Sequence, residues 1–164
     1  MRTIAIAIAA AALLASASAA LAAPAAVSVT VGPELQAKAV KTLGVRDVND
    51  LAAQLQTTVE KRLAKTGAYD GACIELVLAD ASPNRPTFKQ MSDRPGLSFQ
   101  SFGLGGARIA GQIVTADGKA SPIDYKWYES DIRWEHMNST WGDAQTTFQQ
   151  FAARLGRGQL IASR

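Results

Sequence analysis

The sequence predicts an α/β chain of the α+β kind. It reads as a single domain with a mixed, mainly antiparallel sheet of about four strands and two or three helices packed on it. Three observations predict this. Four short segments alternate with the two-residue period of a strand: 27–31, 73–80, a stretch around 109–114, and 123–127. Two longer segments, 48–63 and 141–155, carry apolar residues at helical spacing. Asp117-Gly118, between the third and fourth strands, is a strong hairpin signal.

The elements follow in order. Val27-Ser28-Val29-Thr30-Val31 is β-branched throughout, and Gly32-Pro33 stops it. A short helix over 34–43 puts Leu35, Ala39 and Leu43 on one face, with Pro33 at its first position and Gly44 at its end. Asp47 is the expected cap of the next helix, whose stripe is Val48, Leu51, Ala52, Leu55, Val59 and Leu63. Strand 73–80 carries Ile74, Leu76 and Leu78 on one face, and Cys73, Val77 and Ala79 on the other. Both faces being mostly apolar, it is expected in the sheet centre with Cys73 buried. Residues 81–98, with prolines at 83, 86 and 95, show no period and are expected to be loop. After the hairpin, Ile123, Tyr125 and Trp127 share a core face. Ser139 or Thr140 is the expected cap of the last helix, with Trp141, Ala144, Phe148, Phe151 and Leu155 as its stripe. The first strand, helix and second strand suit a right-handed parallel crossover.

The N-terminus reads as an export signal. Arg2 precedes an Ala/Ile/Leu run over 4–14, and Ala20-Leu21-Ala22 has the form signal peptidase accepts. The expected division is a signal peptide over 1–22 and one domain over 23–164. The apolar run falls short of the roughly 20 residues that span a bilayer, so no transmembrane span is expected after cleavage. No Cys lies near the cleavage site, which argues against a lipoprotein. Without the signal, the chain has a net charge of about +2 on scattered basic residues. Nucleic-acid binding needs a concentrated positive face, so that class is set aside. Cys73 is the only cysteine, so no intramolecular disulfide is possible.

No catalytic constellation emerges. Gly103-Leu104-Gly105-Gly106 leads into a strand rather than a helix, so it reads as a close backbone approach, not a phosphate loop. His136 is the sole histidine and lies in a polar linker, with too few ligands around it for a zinc site. Neither a cofactor nor a metal is therefore expected. The best binding candidate is the loop over 82–96. Asn84, Arg85 and Arg94 offer polar contacts, arginines clamp carboxylates or phosphates, and Phe88 and Met91 offer apolar anchors. The competing reading braces these arginines against Asp80 and Asp93. The second candidate is 127–134, where Trp127 sits beside Glu129 and Asp131. Two apart, these carboxylates would share a face if the strand continued through them, as a hydrolase pair requires.

Four segments carry a resemblance: Gly71-Ala-Cys-Ile-Glu-Leu-Val-Leu-Ala-Asp80, Pro83-Asn-Arg-Pro-Thr87, Ser101-Phe-Gly-Leu-Gly-Gly-Ala107 and Tyr125-Lys-Trp-Tyr-Glu-Ser-Asp131. Together they resemble a group of bacterial exported (periplasmic) proteins of unknown function. More loosely, the element order is similar to small α/β envelope lipoprotein domains that contribute to secretion or cell-wall machinery, without their lipidation Cys. The resemblance implies a periplasmic address and a fold, and no activity. The expected function is a non-catalytic binding or envelope accessory module, its partner an envelope protein or small ligand. The alternatives are a carboxylate-based hydrolase using Glu129 and Asp131, and an envelope assembly subunit that self-associates through a sheet edge.

Overall fold

Helices cover one face of a four-stranded sheet and leave the other open. The structure is a computed structural model that describes residues 25–137 and 139–159. The expected signal peptide lies outside the described residues. The strands run in the order β1 (Ala26–Val31), β2 (Cys73–Ser82), β3 (Gly106–Val114) and β4 (Ala120–Tyr128). β1 pairs parallel with β2, and the remaining pairs are antiparallel. The sheet is thus mixed and mainly antiparallel, as the periodicities require.

Between β1 and β2 the chain forms α1 (Pro33–Lys38), one wider π-helical turn (Ala39–Leu43) and α2 (Val45–Thr66). Leu35, Ala39 and Leu43 are all buried. So is the whole predicted stripe of α2. The helix starts earlier than expected: Gly44 is its cap, and Asp47 lies in the first turn, where its charge suits the helix dipole. After β4 come a 3-10 turn (Ile132–Met137) and α4 (Gly142–Leu155). α2 and α4 lie side by side on the sheet, α2 against β1 and α4 against β3 and β4. Phe148, Phe151, Leu51, Leu55, Ile74, Leu76 and Ile109 fill the layer between. Among the described residues, no helix is long and apolar enough to cross a membrane.

The open face is polar and internally paired. Lys38 and Tyr128 both donate to the Asp80 carboxylate at 2.7 Å. Arg108 makes two bonds of 3.0 Å to Asp124. Burial raises the Asp80 pKa, but the bonds from Lys38 and Tyr128 outweigh it and the net shift is downward. Burial, reinforced by Asp80, pushes the Tyr128 phenol upward.

This face corrects the reading of Cys73. β2 is an internal strand, yet Cys73 and Glu75 are exposed. A two-residue period sorts side chains to two faces but does not reveal whether the second face is covered. Native protein is therefore expected to label at Cys73 about as fast as urea-unfolded protein. Strong native protection in a thiol-labelling time course would place something over this face.

Candidate functional site

The irregular segments gather at one end of the molecule. The C-terminal ends of β1, β2 and β4 meet the N-terminal end of β3 there, joined by α1, residues 83–105 and the 3-10 turn. The stretch expected to be loop contains a further helix, α3 (Phe88–Asp93). It begins with a reciprocal capping box. The Gln90 N–H donates to Thr87 Oγ1 at 3.3 Å, and the Thr87 N–H donates to Gln90 Oε1 at 3.0 Å. The Thr-x-x-Gln signal is present in the sequence, but α3 buries no residue and so shows no apolar period.

Beneath this segment lies a polar cluster of Asn84, Glu135 and Asp143, each at least 96% buried. Asn84 Nδ2 donates to Asp143 Oδ2 at 2.6 Å and also to Glu135 Oε2. In return the Asp143 N–H donates to Asn84 Oδ1 at 2.9 Å. The Gly105 N–H donates to Asp143 Oδ2 at 3.0 Å. Backbone bonds tighten the knot: the Asn84 N–H donates to Thr140 O, and the Gly103 N–H to Asn84 O, each at 2.8 Å.

This cluster corrects the expected cap of α4. The cap position of that helix is Trp141 rather than Ser139 or Thr140, and Trp141 makes no side-chain capping bond. The Asn84 carboxamide caps the helix from 59 residues away, satisfying an amide that the helix leaves open. Asp143 places its charge in the first turn, where the dipole favours it. Thr147 sits one turn on, 2.8 Å from Asp143 O, and also reaches Trp127 O at 3.2 Å. The two carboxylates are enclosed by protein. A general acid or base must reach its substrate directly or through one water, so this cluster acts as an internal brace.

The brace explains Gly105, and the neighbouring β4 explains Gly106, the first residue of β3. A Cβ on Gly105 would sit 2.6 Å from Asn84 Oδ1, and one on Gly106 would sit 2.4 Å from Trp127 O. These are close backbone approaches, as the sequence predicts.

Above the brace, Arg85 and Arg94 line one cavity of about 250 Å³ together with Gln90, Leu97, Ser101 and Phe102. Arg85 donates to Phe99 O. The expected brace partners are engaged elsewhere: Asp80 with Lys38 and Tyr128, and Asp93 with Lys89 at 2.8 Å. Around the cavity stand exposed apolar side chains, Phe88, Phe99, Phe102 and Leu104. Phe88, 71% exposed, meets Phe99 edge-on at 5.4 Å. Two larger hollows, about 390 and 340 Å³, follow the outer seam of α2 and α4. They are furrows between packed helices, bridged in part by the bond from Gln145 to Gln54 at 2.9 Å.

The second candidate segment does not join this site as a carboxylate pair. β4 ends at Tyr128, so Glu129 and Asp131 do not share a strand face. Glu129 accepts the N–H groups of Ser130 and Asp131 at 2.6 and 2.9 Å. Asp131 accepts from Arg133 Nε at 2.9 Å, and this partner holds its pKa below the usual carboxylate range. Trp127 is half-buried and packs on the core. His136 lies in the 3-10 turn, and its side chain, like all of Asn138, is outside the described residues. Among the described residues no three His, Cys, Asp or Glu side chains gather as metal ligands.

Glu135 and Asp143 are the residues that sequence reasoning missed. Asp143 and Thr147 flank the apolar stripe of α4 four residues apart, which is a readable sign of buried polar partners. No protein-family model matches the chain, and a search of curated proteins returns no match.

Proposed function

We propose that this chain is an exported, non-catalytic binding module of the bacterial envelope. Its binding surface is the end formed by residues 83–105, and its ligand or partner segment is acidic with an apolar flank. One observation carries this reading: Arg85 and Arg94 line the same cavity, with no acidic residue among those that line it. Two guanidinium groups beside exposed phenylalanines suit a carboxylate or phosphate joined to apolar surface. The buried brace favours such a role because it fixes the backbone from which these side chains project, and fixed binding groups lose less entropy on association. The order of residues at the N-terminus supports the periplasmic address. Local engagement of Glu129 and Asp131 speaks against the hydrolase alternative.

The test replaces Arg85 and Arg94 together with Ala. Arg94 is exposed and Arg85 half-buried with a bond to Phe99 O, so the stability change is expected at about 1–2 kcal/mol with the fold retained. Cross-linking in envelope extract should recover a partner with the native chain and lose it with the double variant. Recovery of the same species by both would overturn the assignment. Loss of the fold would show the arginines to be structural.

A further inference from the structure

The two edges of the sheet differ in one respect that points to a second copy of the chain. At the β4 edge two of the three core-facing residues are closed, Ile123 and Tyr125 at 3% and 6% exposed, and only Trp127 is partly buried. That strand also carries Pro122, Asp124 and Lys126, residues that blunt an edge against further pairing. At the β1 edge the core-facing row is unfinished. Val27, Val29 and Val31 pack on the core yet remain only partly buried. β1 contains no charge, proline or glycine, and among the described residues it pairs with β2 alone.

The hydrogen-bonding groups of this edge that β2 leaves unused follow from its register. The Ala26 N–H donates to Ala72 O and the Gly32 N–H to Leu78 O, each at 2.9 Å. By strand alternation Ser28 and Thr30 also turn their backbone groups toward β2. Val27, Val29 and Val31 therefore turn theirs outward.

We infer that β1 pairs antiparallel with β1 of a second copy about a two-fold axis at Val29, joining two sheets into one of eight strands. In that register Val29 faces Val29 of the second copy and Val27 faces Val31, so the outward-turned amides and carbonyls of all three satisfy one another. The same pairs bring valine against valine on the helix side and complete the unfinished row. On the open side Ser28 faces Thr30, with no charge to oppose the approach. The helix layer allows it. Two helices roughly 8–10 Å apart over four strands about 4.8 Å apart match the sheet width, so α2 of each copy would lie about one helix diameter from the other. The uncharged, self-complementary edge favours a second copy over a partner of different sequence. This surface is separate from the Arg85–Arg94 end and does not depend on that reading.

Ser28 and Thr30 are exposed in the single chain, so lysine at both leaves the fold unaffected but brings like charges face to face across the axis. Sedimentation of the full-length chain is expected to show a dimer. S28K/T30K should be monomeric with an unchanged far-UV spectrum, and S28K/T30E, which faces Lys with Glu twice, should restore the dimer. A native chain that stays monomeric at 100-fold increasing concentration would overturn the inference. So would a dimer that persists in S28K/T30K, or one that S28K/T30E fails to restore.

Discussion

Replacing Asn84 with Asp is expected to destabilise the protein by about 5 kcal/mol. The change preserves shape and turns one donor into an acceptor. Asn84 Nδ2 is the atom that both Glu135 and Asp143 accept from. An Asp there aims a third carboxylate at two others in a buried site. Asn84→Ala is expected to cost less, about 3 kcal/mol, because it leaves buried groups short of partners without adding charge. It also strips the cap from α4, since the Asp143 N–H donates to Asn84 Oδ1. Against a typical domain stability of about 5–15 kcal/mol, the Asp variant approaches the threshold of folding. Urea unfolding of the three proteins measures this ranking. Equal stability for native and Asn84→Asp protein would mean that the cluster is not the brace described.

The second large effect is expected at Gly106. An added Cβ would sit 2.4 Å from Trp127 O and 2.6 Å from Tyr128 Cα, both backbone atoms of β4. The residue also has φ +150°, which side-chain-bearing residues rarely adopt. Backbone cannot swing aside as a long side chain does, so β3 and β4 must part where Ser82, Gly106 and Tyr128 lie side by side. Gly106→Ala is expected to cost about 3 kcal/mol. Gly103→Ala is the control. A Cβ added there would meet nothing within 4 Å, and Gly103 is not among the glycines with positive φ, so a change below about 0.5 kcal/mol is expected. Thermal unfolding of the pair separates a true close approach from a general intolerance of the glycine-rich entry.

The contrast between what the sequence reveals and what it conceals is physical. The stripe from Val48 to Leu63 and the alternation of Ile74, Leu76 and Leu78 are legible because burial imposes a period on neighbouring residues. The hairpin at Asp117-Gly118 is legible because its turn is local; the Gly118 N–H donates to Thr115 O at 2.8 Å. Asn84 stands out in the sequence for its loop, not for its partners. Those partners are 51 and 59 residues away, and no local pattern links them. The same holds for α4, whose cap comes from another part of the chain while Ser139 and Thr140 stand in the expected place. The covered face of the sheet is also beyond the sequence, since the period of β2 is the same with or without a second layer. Arg85 and Arg94 stand out by residue type alone, and their meeting in one cavity is a tertiary fact.

The proposed role rests on a loop held rigid from beneath so that its arginines are presented from a fixed backbone. Native-state hydrogen exchange at Gly105 tests this most directly. Its N–H is bonded to the buried Asp143 carboxylate, whereas the N–H groups of Ser98 and Gln100 bond only to exposed serine hydroxyls within the same loop. The Gly105 amide is predicted to exchange only with global unfolding, far more slowly than those of Ser98 and Gln100. Exchange at Gly105 as fast as at Ser98 would contradict a rigid brace, because the segment would then open without breaking the core.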